Sequence, residues 1–526
     1  MMTELYLDAN ATSPILPAAA QAALAAMQDC FGNPSSSHAS GLRARALRER
    51  VRDRARRVLG APAGRVMFNS GATEGIQTAV LSALCALRAR RERGERCGDL
   101  LLYGATEHKA VPESLAHWNR LLGAGFELRA LPVDAQGRHR LDVLGALAPR
   151  VAFLCTMAAN NETGVVSDLD GIDAVLRMSG SPALWMVDCV QALGKLPLSL
   201  GASRIDYAPF SGHKLHAPKG IGMLYVRDGA PYTPLMCGGG QEEGQRSGTE
   251  NMAGIAALGA VLEALEGGGA FRGHADLLAC RARLVAALRE AFPGVEFNAP
   301  LEQTLPTTIN FSVPGVASAT LLELFDAAGL FVSAGSACSA AKAAPSHVLD
   351  AMGVPAGRGA AAVRMSFGLL VDDAAIELAC ARLARCGAAL AAHPVDPQAA
   401  HAPGGGSGPA GAARPLPAHQ AGIEIDGATA RAWLAAHPDA IVVDVRDARE
   451  HAVAAGAGPV TVFGQAALNV PLARLADHAD AWAGAAARPL LFVCRSGARS
   501  VRAAQTLRAL GHPQACSLAG GLALAS

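Results

Sequence analysis

The sequence predicts an α/β protein in which helices cover a mostly parallel sheet. Short runs such as VAFLCTM (151–157) and YAPFS (207–211) are apolar on both faces, and they alternate with amphipathic helical stretches such as residues 73–90. Strands of this kind are typical of parallel sheets buried between helices. Small and polar motifs directly follow several of them. Because such sheets bind ligands at the carboxyl ends of their strands, we expect the functional site there.

The predicted strands and the motifs behind them can be paired along the chain. The strands are VMFN (66–69), DLLLYG (99–104), VAFLCTM, ALWMVD (183–188), YAPFS and GMLYV (222–226), with a further helix over residues 169–178. The first three strands are followed by SGATEG (70–75), TEHK (106–109) and NNETG (160–164). Asp188 ends the fourth, and SGHK (211–214) follows the fifth.

A boundary lies late in the chain. In residues 393–420, 11 of the 28 residues are Gly or Pro and no apolar periodicity remains, which is typical of a flexible linker. We therefore divide the chain into a first part of residues 1–390, a linker of residues 391–420 and a last part of residues 421–526. The last part repeats the alternation, with strands AIVVDVRD (440–447) and PLLFVC (489–494) and a helix over residues 500–511 that Gly511 ends.

The composition excludes several classes of protein. Apolar residues make up 51% of the chain, enough for large cores. Lys and Arg number 46 against 45 Asp and Glu, so nothing indicates binding to nucleic acid. No apolar run approaches the roughly 18 residues of a membrane span, and the first ten residues lack the basic start of a secretory signal. The 12 cysteines form no C-x-x-C pair, so we expect a reduced, cytoplasmic protein.

Lysine is scarce, which makes each lysine informative. The chain has five among its 46 basic residues: Lys109, Lys195, Lys214, Lys219 and Lys342. Lys214, in SGHK, follows a buried strand and is placed to form a Schiff base with an aldehyde cofactor. The commoner explanation for any single lysine is a surface position. His213 and His216 flank it without a third ligand nearby, so we expect no metal site.

Three further residue types fit the same chemistry. SGATEG leads from a strand into a helix whose first N–H groups, at Ala72 and Thr73, suit a phosphate. Asp188 can pair with a pyridinium nitrogen, and His108 can stack on a ring and move protons. The alternatives are a capped helix start without a ligand, an N-cap Asp, and a capping or surface His.

Together these motifs identify a family. The first part resembles the cysteine desulfurases, pyridoxal 5'-phosphate enzymes related to the class V aminotransferases. The matching strings are LDANAT (7–12), FGNPSSSH (31–38), FNSGATEG (68–75), TEHKAV (106–111), NNETG, VDCVQALGKLP (187–197), FSGHKLHAPKGIG (210–222), GGGQEEGQRSGTEN (238–251), SAGSACS (333–339) and PSHVL (345–349). The resemblance implies the type I fold of pyridoxal-phosphate-dependent transferases. Its large domain would span about residues 16–262, and the N-terminal segment and about residues 263–390 would form a small α+β domain.

The resemblance also implies a role for each matching residue. Lys214 would form the Schiff base and then carry the proton, while Asp188 would hold the pyridine nitrogen and His108 would stack on the ring. Arg364 would grip the substrate carboxylate as a bidentate fork. The other implied ligands are Gln191 on the ring hydroxyl, Asn161 near that hydroxyl and the substrate carboxylate, and Ala72, Thr73, Ser211 and His213 on the phosphate. Thr249 of a second subunit would reach the same phosphate, which implies a homodimer.

Cys338 is the implied nucleophile. Small residues surround it, which suits a mobile exposed loop. Its thiolate would attack the sulfur of the substrate cysteine, giving alanine and a persulfide on Cys338. The loop resembles the long-loop subgroup, which hands sulfur to protein acceptors. Apart from Cys494, we expect the other cysteines to be buried and structural. Ala9, Glu243 and Lys342 depart from the usual family residues without removing a catalytic group.

The last part contains a second reactive motif. CRSGARS (494–500) follows a strand and opens a helix, so its cysteine faces backbone N–H groups that suit an anion or a persulfide. The alternative is a buried cysteine at a strand end. VVDVRDAREH (442–451), ALNVPL (467–472), this motif and LAGGL (518–522) resemble a rhodanese domain, whose loop would comprise Cys494, Arg495, Ser496, Gly497, Ala498 and Arg499. Val493 and Ser500 stand where related phosphatases have His and Arg, which disfavours that activity.

We therefore predict a cysteine desulfurase fused to a sulfurtransferase. Sulfur would pass from L-cysteine to Cys338, then to Cys494 and on to an acceptor. The alternative is a selenocysteine lyase or class V aminotransferase whose rhodanese part is a docking module. The acceptor stays open among an iron–sulfur cluster scaffold, a thiolation enzyme and a small thiophile such as cyanide.

Overall fold

The computed structural model describes residues 4–335, 346–392, 423–446, 451, 460–475, 477–478, 482, 488–495, 497–510 and 512–522. The linker predicted over residues 391–420 lies outside this description, except for residues 391 and 392, which are helical. The predicted nucleophile Cys338 also lies outside the described residues.

The first part alternates strands and helices. Its strands are β1 Leu5–Tyr6, β2 Arg65–Asn69, β3 Leu100–Gly104, β4 Glu127–Leu131, β5 Val151–Met157, β6 Leu184–Asp188, β7 Tyr207–Ser211, β8 Gly222–Val226, β9 Glu296–Phe297, β10 Thr308–Ser312, β11 Leu330–Phe331 and β12 Ala362–Ser366. Its helices are α1 Pro17–Asp29, α2 Ala39–Val58, α3 Ala72–Glu92, α4 Ala110–Leu121, α5 Leu141–Leu147, α6 Leu169–Met178, α7 Met252–Gly267, α8 His274–Ala291, α9 Ser318–Ala327, α10 His347–Ala351, α11 Ala356–Ala360 and α12 Asp373–Ala392.

A seven-stranded sheet forms the centre of the first part. Its order is β2-β8-β7-β6-β5-β3-β4, and every pair is parallel except those of β8 with β2 and β7. The prediction of a mostly parallel sheet is therefore confirmed. The sequence pattern does not reveal β4, because Glu127, Arg129 and Ala130 of this edge strand are exposed and leave no apolar run.

Both faces of this sheet are buried. Alternate residues of one strand belong to different apolar clusters, since Leu100 and Leu102 pack with Trp185 while Leu101 packs with Met186 on the opposite face. Strands that are apolar at every position follow from this arrangement. The carboxyl ends of β2, β3, β5, β6 and β7 share one edge, so the motifs that follow them meet there.

Smaller sheets complete the first part. β10 pairs antiparallel with β9 and β12, and β1 pairs parallel with β11. The N-terminal segment therefore lies beside the residues that lead toward Cys338. Helices α8 and α12 pack against each other near this sheet through residues that include Leu284 and Leu383.

The last part forms its own sheet. Its strands are β13 Glu424–Ile425, β14 Ile441–Asp444, β15 Thr461–Val462, β16 Gln465–Asn469, β17 Leu490–Val493 and β18 Ala515–Leu518, and its helices are α13 Gly427–Ala436 and α14 Ala498–Ala509. The order is β13-β18-β17-β14-β16-β15, parallel except for β15 with β16. The two predicted strands are present but shorter, and the helix begins two residues earlier than the predicted residue 500. Gly511 lies outside the described residues.

The cysteines outside the two reactive motifs differ in their burial. The expectation that the remaining cysteines are buried is wrong for several of them: Cys237 is exposed in a glycine-rich turn, and Cys30, Cys85, Cys97 and Cys380 are half-buried. Cys97 and Cys380 pack at the margins of the apolar clusters and are therefore only partly covered. Among the described helices, none has the length and apolar character needed to span a membrane.

Candidate active site

The predicted residues of the first part meet in one cavity of about 490 Å³ at the carboxyl edge of the large sheet. The lining includes the predicted residues Ala72, Thr73, His108, Asn161, Asp188, Gln191, Ser211, His213, Lys214 and Arg364. Thr249 instead lines a neighbouring cavity of about 140 Å³, which shares Ser70 and Gly220 with the first. Within one chain, Thr249 and the other predicted phosphate ligands are therefore separate.

One end of the cavity suits a phosphate. Helix α3 begins at Ala72 without a side-chain cap, and its N-cap residue Gly71 has φ +152°, a backbone conformation that side chains rarely adopt. The helix therefore presents its first N–H groups and its positive dipole end. Ser211 and Thr73 add hydroxyl groups. Burial and the charge of Lys214 lower the pKa of His213 to about 4, so its imidazole is neutral at pH 7.

Lys214 extends from the turn after β7 toward the N-terminal segment. Its Nζ donates hydrogen bonds to the carbonyl oxygens of Asn10 (2.6 Å) and Ala11 (2.8 Å). Both acceptors line the same cavity. The amine therefore stands inside the cavity, where an aldehyde can reach it, and it is not the surface lysine of the alternative interpretation.

Asp188 supplies the carboxylate of the cavity. It ends β6, and its Oδ1 accepts the N–H of Val190 at 2.9 Å in a turn. No helix begins there among the described residues, so Asp188 is not the helix N-cap of the alternative interpretation. Burial raises the pKa of Asp188 to about 6, although the Val190 hydrogen bond and the charge of Lys214 act in the opposite direction. A buried carboxylate of this kind is stabilised by a cationic partner such as a protonated ring nitrogen.

His108 is held in one tautomer. Its Nδ1 accepts the backbone N–H of Ala110 at 3.2 Å, which leaves Nε2 as the protonated nitrogen of the neutral ring. Burial, with the charges of Lys214 and His347 adding to it, lowers the pKa of His108. A neutral imidazole at the cavity wall can stack on an aromatic ring.

Arg364 is fixed by groups far from it in the sequence. It is 1% exposed, and it donates to the carbonyl of Asn161 (3.0 Å) and to Oδ1 of Asp8 (2.5 Å). Its Nε is buried without a hydrogen-bond partner among the described residues. A buried guanidinium donor is costly to leave unpaired, so it suits a carboxylate ligand.

The histidine considered as a metal ligand has a structural role. Nδ1 of His216 lies 2.7 Å from the carbonyl oxygen of Pro14, and its Nε2 accepts the N–H of Leu369 at 3.1 Å. Both ring nitrogens are thus occupied by backbone groups.

The segment that contains Cys338 begins and ends at this site. Ser346 donates to Oε2 of Glu162 at 2.6 Å, and a Cβ placed on Gly335 would lie 3.4 Å from the same oxygen. His347 contacts the carbonyl oxygen of Glu107 at 3.0 Å. The motifs TEHK and NNETG therefore hold the C-terminal end of the segment, and Glu162 of NNETG lies near its N-terminal end.

Sequence reasoning missed several residues of the site. Asn10 lines the cavity and hydrogen-bonds Asn161 and Thr308, and Lys219 lines it as well. Asn10 lies in the LDANAT string and Lys219 is one of the five lysines, so both carried a signal. Lys195, another scarce lysine, contacts Gln191 behind the cavity wall.

The last part holds Cys494 at the end of β17. The side chain is buried, as expected for the alternative of a buried cysteine at a strand end. Its Sγ also accepts the N–H of Gly497 at 3.1 Å and lies 3.4 Å from Oγ of Ser500. Gly497 has φ +94°, which turns the chain into α14. Ser496 lies outside the described residues, while Arg495 is buried and Arg499 half-buried beside the loop. Arg499 Nη2 lies 3.4 Å from Oε2 of Glu323 on α9.

The comparisons with known proteins agree with this geometry. Residues 5–378 match the family model "Aminotransferase class-V", and residues 429–524 match "Rhodanese-like domain". A cysteine desulfurase of Gluconacetobacter diazotrophicus is 39% identical over 383 residues, which cover 72% of this chain and 91% of that protein. A solved NifS-like protein has a TM-score of 0.64 at 31% identity, over 73% of this chain and 98% of that one. SspA, solved in complex with cysteine, has a TM-score of 0.58 at 27% identity, over 69% and 99%.

The chain therefore belongs to the class V aminotransferase family of enzymes. Within that family its relatives are cysteine desulfurases, and a rhodanese-like domain follows in the same chain. The predicted family, fold class and enzyme type are confirmed. The comparisons do not favour the selenocysteine lyase or aminotransferase alternative.

Proposed function

We propose that this chain binds pyridoxal 5'-phosphate, removes sulfur from L-cysteine through Cys338, and passes it to Cys494. The observation that carries the proposal is the cavity in which Lys214, Asp188 and His108 meet the uncapped start of α3 and the guanidinium of Arg364, whose buried Nε has no hydrogen-bond partner among the described residues. These groups match an aldehyde, a ring nitrogen, a ring face, a phosphate and a substrate carboxylate.

The fit to the cofactor rests on the donor set. Thr73, Ser211, His213 and the first N–H groups of α3 would hold the phosphate, and Asp188 would hold the ring nitrogen. When bound, the cofactor supplies an aldehyde that condenses with amines and a ring that takes up electron pairs from the substrate. Gln191 and Asn161 line the wall where the ring hydroxyl would lie.

The residues of this chain perform the remaining tasks. Arg364, held by Asp8, orients the substrate carboxylate through its unpaired Nε–H. Lys214 carries the proton that leaves the substrate α-carbon. Its hydrogen bonds to the carbonyl oxygens of Asn10 and Ala11 keep the amine in the cavity. The complex of SspA with cysteine supports this substrate.

Removal of sulfur from the substrate needs only the Cys338 thiolate and one molecule of L-cysteine. The thiolate of Cys338 attacks the sulfur of L-cysteine, a new S–S bond forms, and the C–S bond breaks with its electron pair going to carbon, where a proton completes L-alanine. Attachment of the Cys338 segment at Glu162, next to Asn161, supports this assignment.

The relay to Cys494 is an exchange between thiols. The Cys494 thiolate attacks the outer sulfur of the Cys338 persulfide, which regenerates the Cys338 thiol. The Gly497 N–H at 3.1 Å from Sγ suits a negatively charged sulfur. The two thiols belong to one chain, and covalent linkage of two reacting groups raises the effective concentration of one near the other.

A homodimer and a protein acceptor extend the proposal. Exposed apolar side chains on and between α1 and α2, including Met27 (58% exposed) and Phe31 (72%), suit a subunit interface. Thr249 of the partner subunit would then complete the phosphate site. The described cysteines form no disulfide, which suits a cytoplasmic location. An iron–sulfur cluster scaffold or a thiolation enzyme would take the sulfur.

The experiment is mass spectrometry of the purified protein after addition of labelled L-cysteine. We expect labelled persulfide on both Cys338 and Cys494. The matched variant Cys338→Ser should retain the visible absorbance of the bound cofactor and its change on adding cysteine, yet make no alanine. Substantial alanine from this variant contradicts the nucleophile, and label on Cys338 but never on Cys494 contradicts the relay.

A further inference from the structure

Lys195 lies behind the cavity wall, where no predicted role uses it. It is 6% exposed, and its Nζ donates to Oε1 of Gln191 at 2.6 Å and to Oδ1 of Asn10 at 3.3 Å. A buried lysine is costly to maintain. It is also one of only five lysines among the 46 basic residues of the chain.

The contact determines which way the Gln191 amide points. The Lys195 amine donates an N–H to the amide oxygen, so the amide turns that oxygen toward Lys195. Its nitrogen then donates to the carbonyl oxygen of Asn10 at 3.2 Å, and that nitrogen has a second N–H. Because Gln191 lines the cavity, the second N–H is the amide group left for a ligand there.

Asn10 connects this pair to the reactive lysine. Its carbonyl oxygen accepts from Gln191 and also from Nζ of Lys214, and its side-chain oxygen accepts from Lys195. Burial, and then the charges of Lys214 and Arg364, lower the pKa of Lys195 to about 7. Lys214 and Arg364 are the charged groups that act on Lys195, and Gln191 and Asn10 are its hydrogen-bond partners.

We propose that Lys195 is a positioning residue that fixes the Gln191 amide so that an N–H, and not the oxygen, faces the ring oxygen of the bound cofactor. The inference rests on the proposed function, because it assumes pyridoxal phosphate in the cavity. An N–H donor stabilises negative charge on that ring oxygen. It therefore lowers the pH at which the lysine-bound cofactor loses its proton.

The test is a pH titration of the visible absorbance of the holoenzyme. In Lys195→Met the amide is free to turn, so the midpoint should rise by about one pH unit. Lys109→Met is the matched control, because it removes an exposed lysine beside His108 without touching Gln191. Its midpoint should stay within about 0.3 units of the wild type.

A double-variant cycle separates positioning from a simple charge effect. If Lys195 acts through Gln191, then Lys195→Met in a Gln191→Leu background should shift the midpoint by less than half as much as in the wild type. Additive shifts, or no shift in Lys195→Met, overturn the inference. Should Lys195→Met fail to fold by circular dichroism, Lys195→Gln takes its place with the same sign of shift expected.

The outcomes distinguish the inference from its premise. A wild type without any cofactor absorbance contradicts the proposed function. A wild type whose absorbance titrates normally while Lys195→Met and Lys195→Gln titrate identically to it contradicts the role of Lys195 alone.

Discussion

Ser346 donates its hydroxyl to the buried carboxylate of Glu162 at 2.6 Å, and the backbone at Gly335 passes beside the same carboxylate. One side chain therefore binds Ser346, at the C-terminal end of the segment that contains Cys338, and lies near Gly335 at its N-terminal end. Glu162 directly follows Asn161 of the cavity, so the described residues that flank the segment lie next to the site.

Replacement of Glu162 should therefore slow sulfur removal without removing the cofactor. We expect Glu162→Ala to lower the rate of alanine formation on the order of tenfold, because the C-terminal end of the segment loses its hydrogen bond from Ser346. Cofactor absorbance should be unchanged. The exposed Glu302→Ala serves as the control, and a wild-type rate in Glu162→Ala would show that the contact does not position Cys338.

Lys214→Ala should lose the covalent attachment of the cofactor. The wild type treated with borohydride and digested should carry the reduced cofactor on the peptide with Lys214. Lys219 lines the same cavity and is the internal control for reactivity. Modification of Lys219 or another lysine in place of Lys214 would refute the assignment.

Ionisation of the buried Asp188 lowers the stability of the cofactor-free protein, and we expect a bound cationic ring to offset this loss. The pKa of Asp188 is raised by burial to about 6, above the unfolded value, so its ionisation destabilises the fold as the pH rises through about 4 to 6. Asp188→Asn should raise the free energy of unfolding of the apoprotein at pH 7 by about 1–3 kcal/mol. Urea unfolding should show a smaller gain at pH 5. The same variant should bind the cofactor more weakly, and equal gains at both pH values would contradict the ionisation argument.

Cys494→Ala tests the relay from the receiving side. The variant should still form alanine and load Cys338, because neither step uses the last part of the chain. It should deliver less sulfur to cyanide than the wild type, measured as thiocyanate. The buried Cys516→Ala in the same sheet is the control. Undiminished thiocyanate in Cys494→Ala would leave the last part as a docking module.

The site residues that could be predicted from the sequence are those that come directly after strands of the large sheet. Strands such as β5 and β7 are buried at every residue and mostly apolar because helices cover both faces of the sheet, so their bounds could be predicted from the pattern alone. The residues after them meet at one edge as a consequence of parallel pairing. The edge strand β4 has no such pattern, and the short strands β9 and β15 are too brief to show one.

The missed residues depend on contacts that sequence periodicity does not report. Asn10 hydrogen-bonds Thr308, 298 positions away, and Asp8, which was also missed, pairs with the predicted Arg364, 356 positions away. Lys195 lies four residues from Gln191, but its role depends on which end of the amide faces the cavity. Such features follow from side-chain orientation after the small sheet and the N-terminal segment have packed against the large sheet.

The ion pair between Arg499 and Glu323 joins two events that occur in different domains. Arg499 ends the loop around Cys494, so any anionic sulfur species held there must share the Arg499 guanidinium with Glu323. Reciprocity of linked equilibria then applies. We therefore expect an anion bound at this loop and the Arg499–Glu323 contact to weaken each other, so that removal of the Glu323 carboxylate should raise the affinity of the loop for an anion.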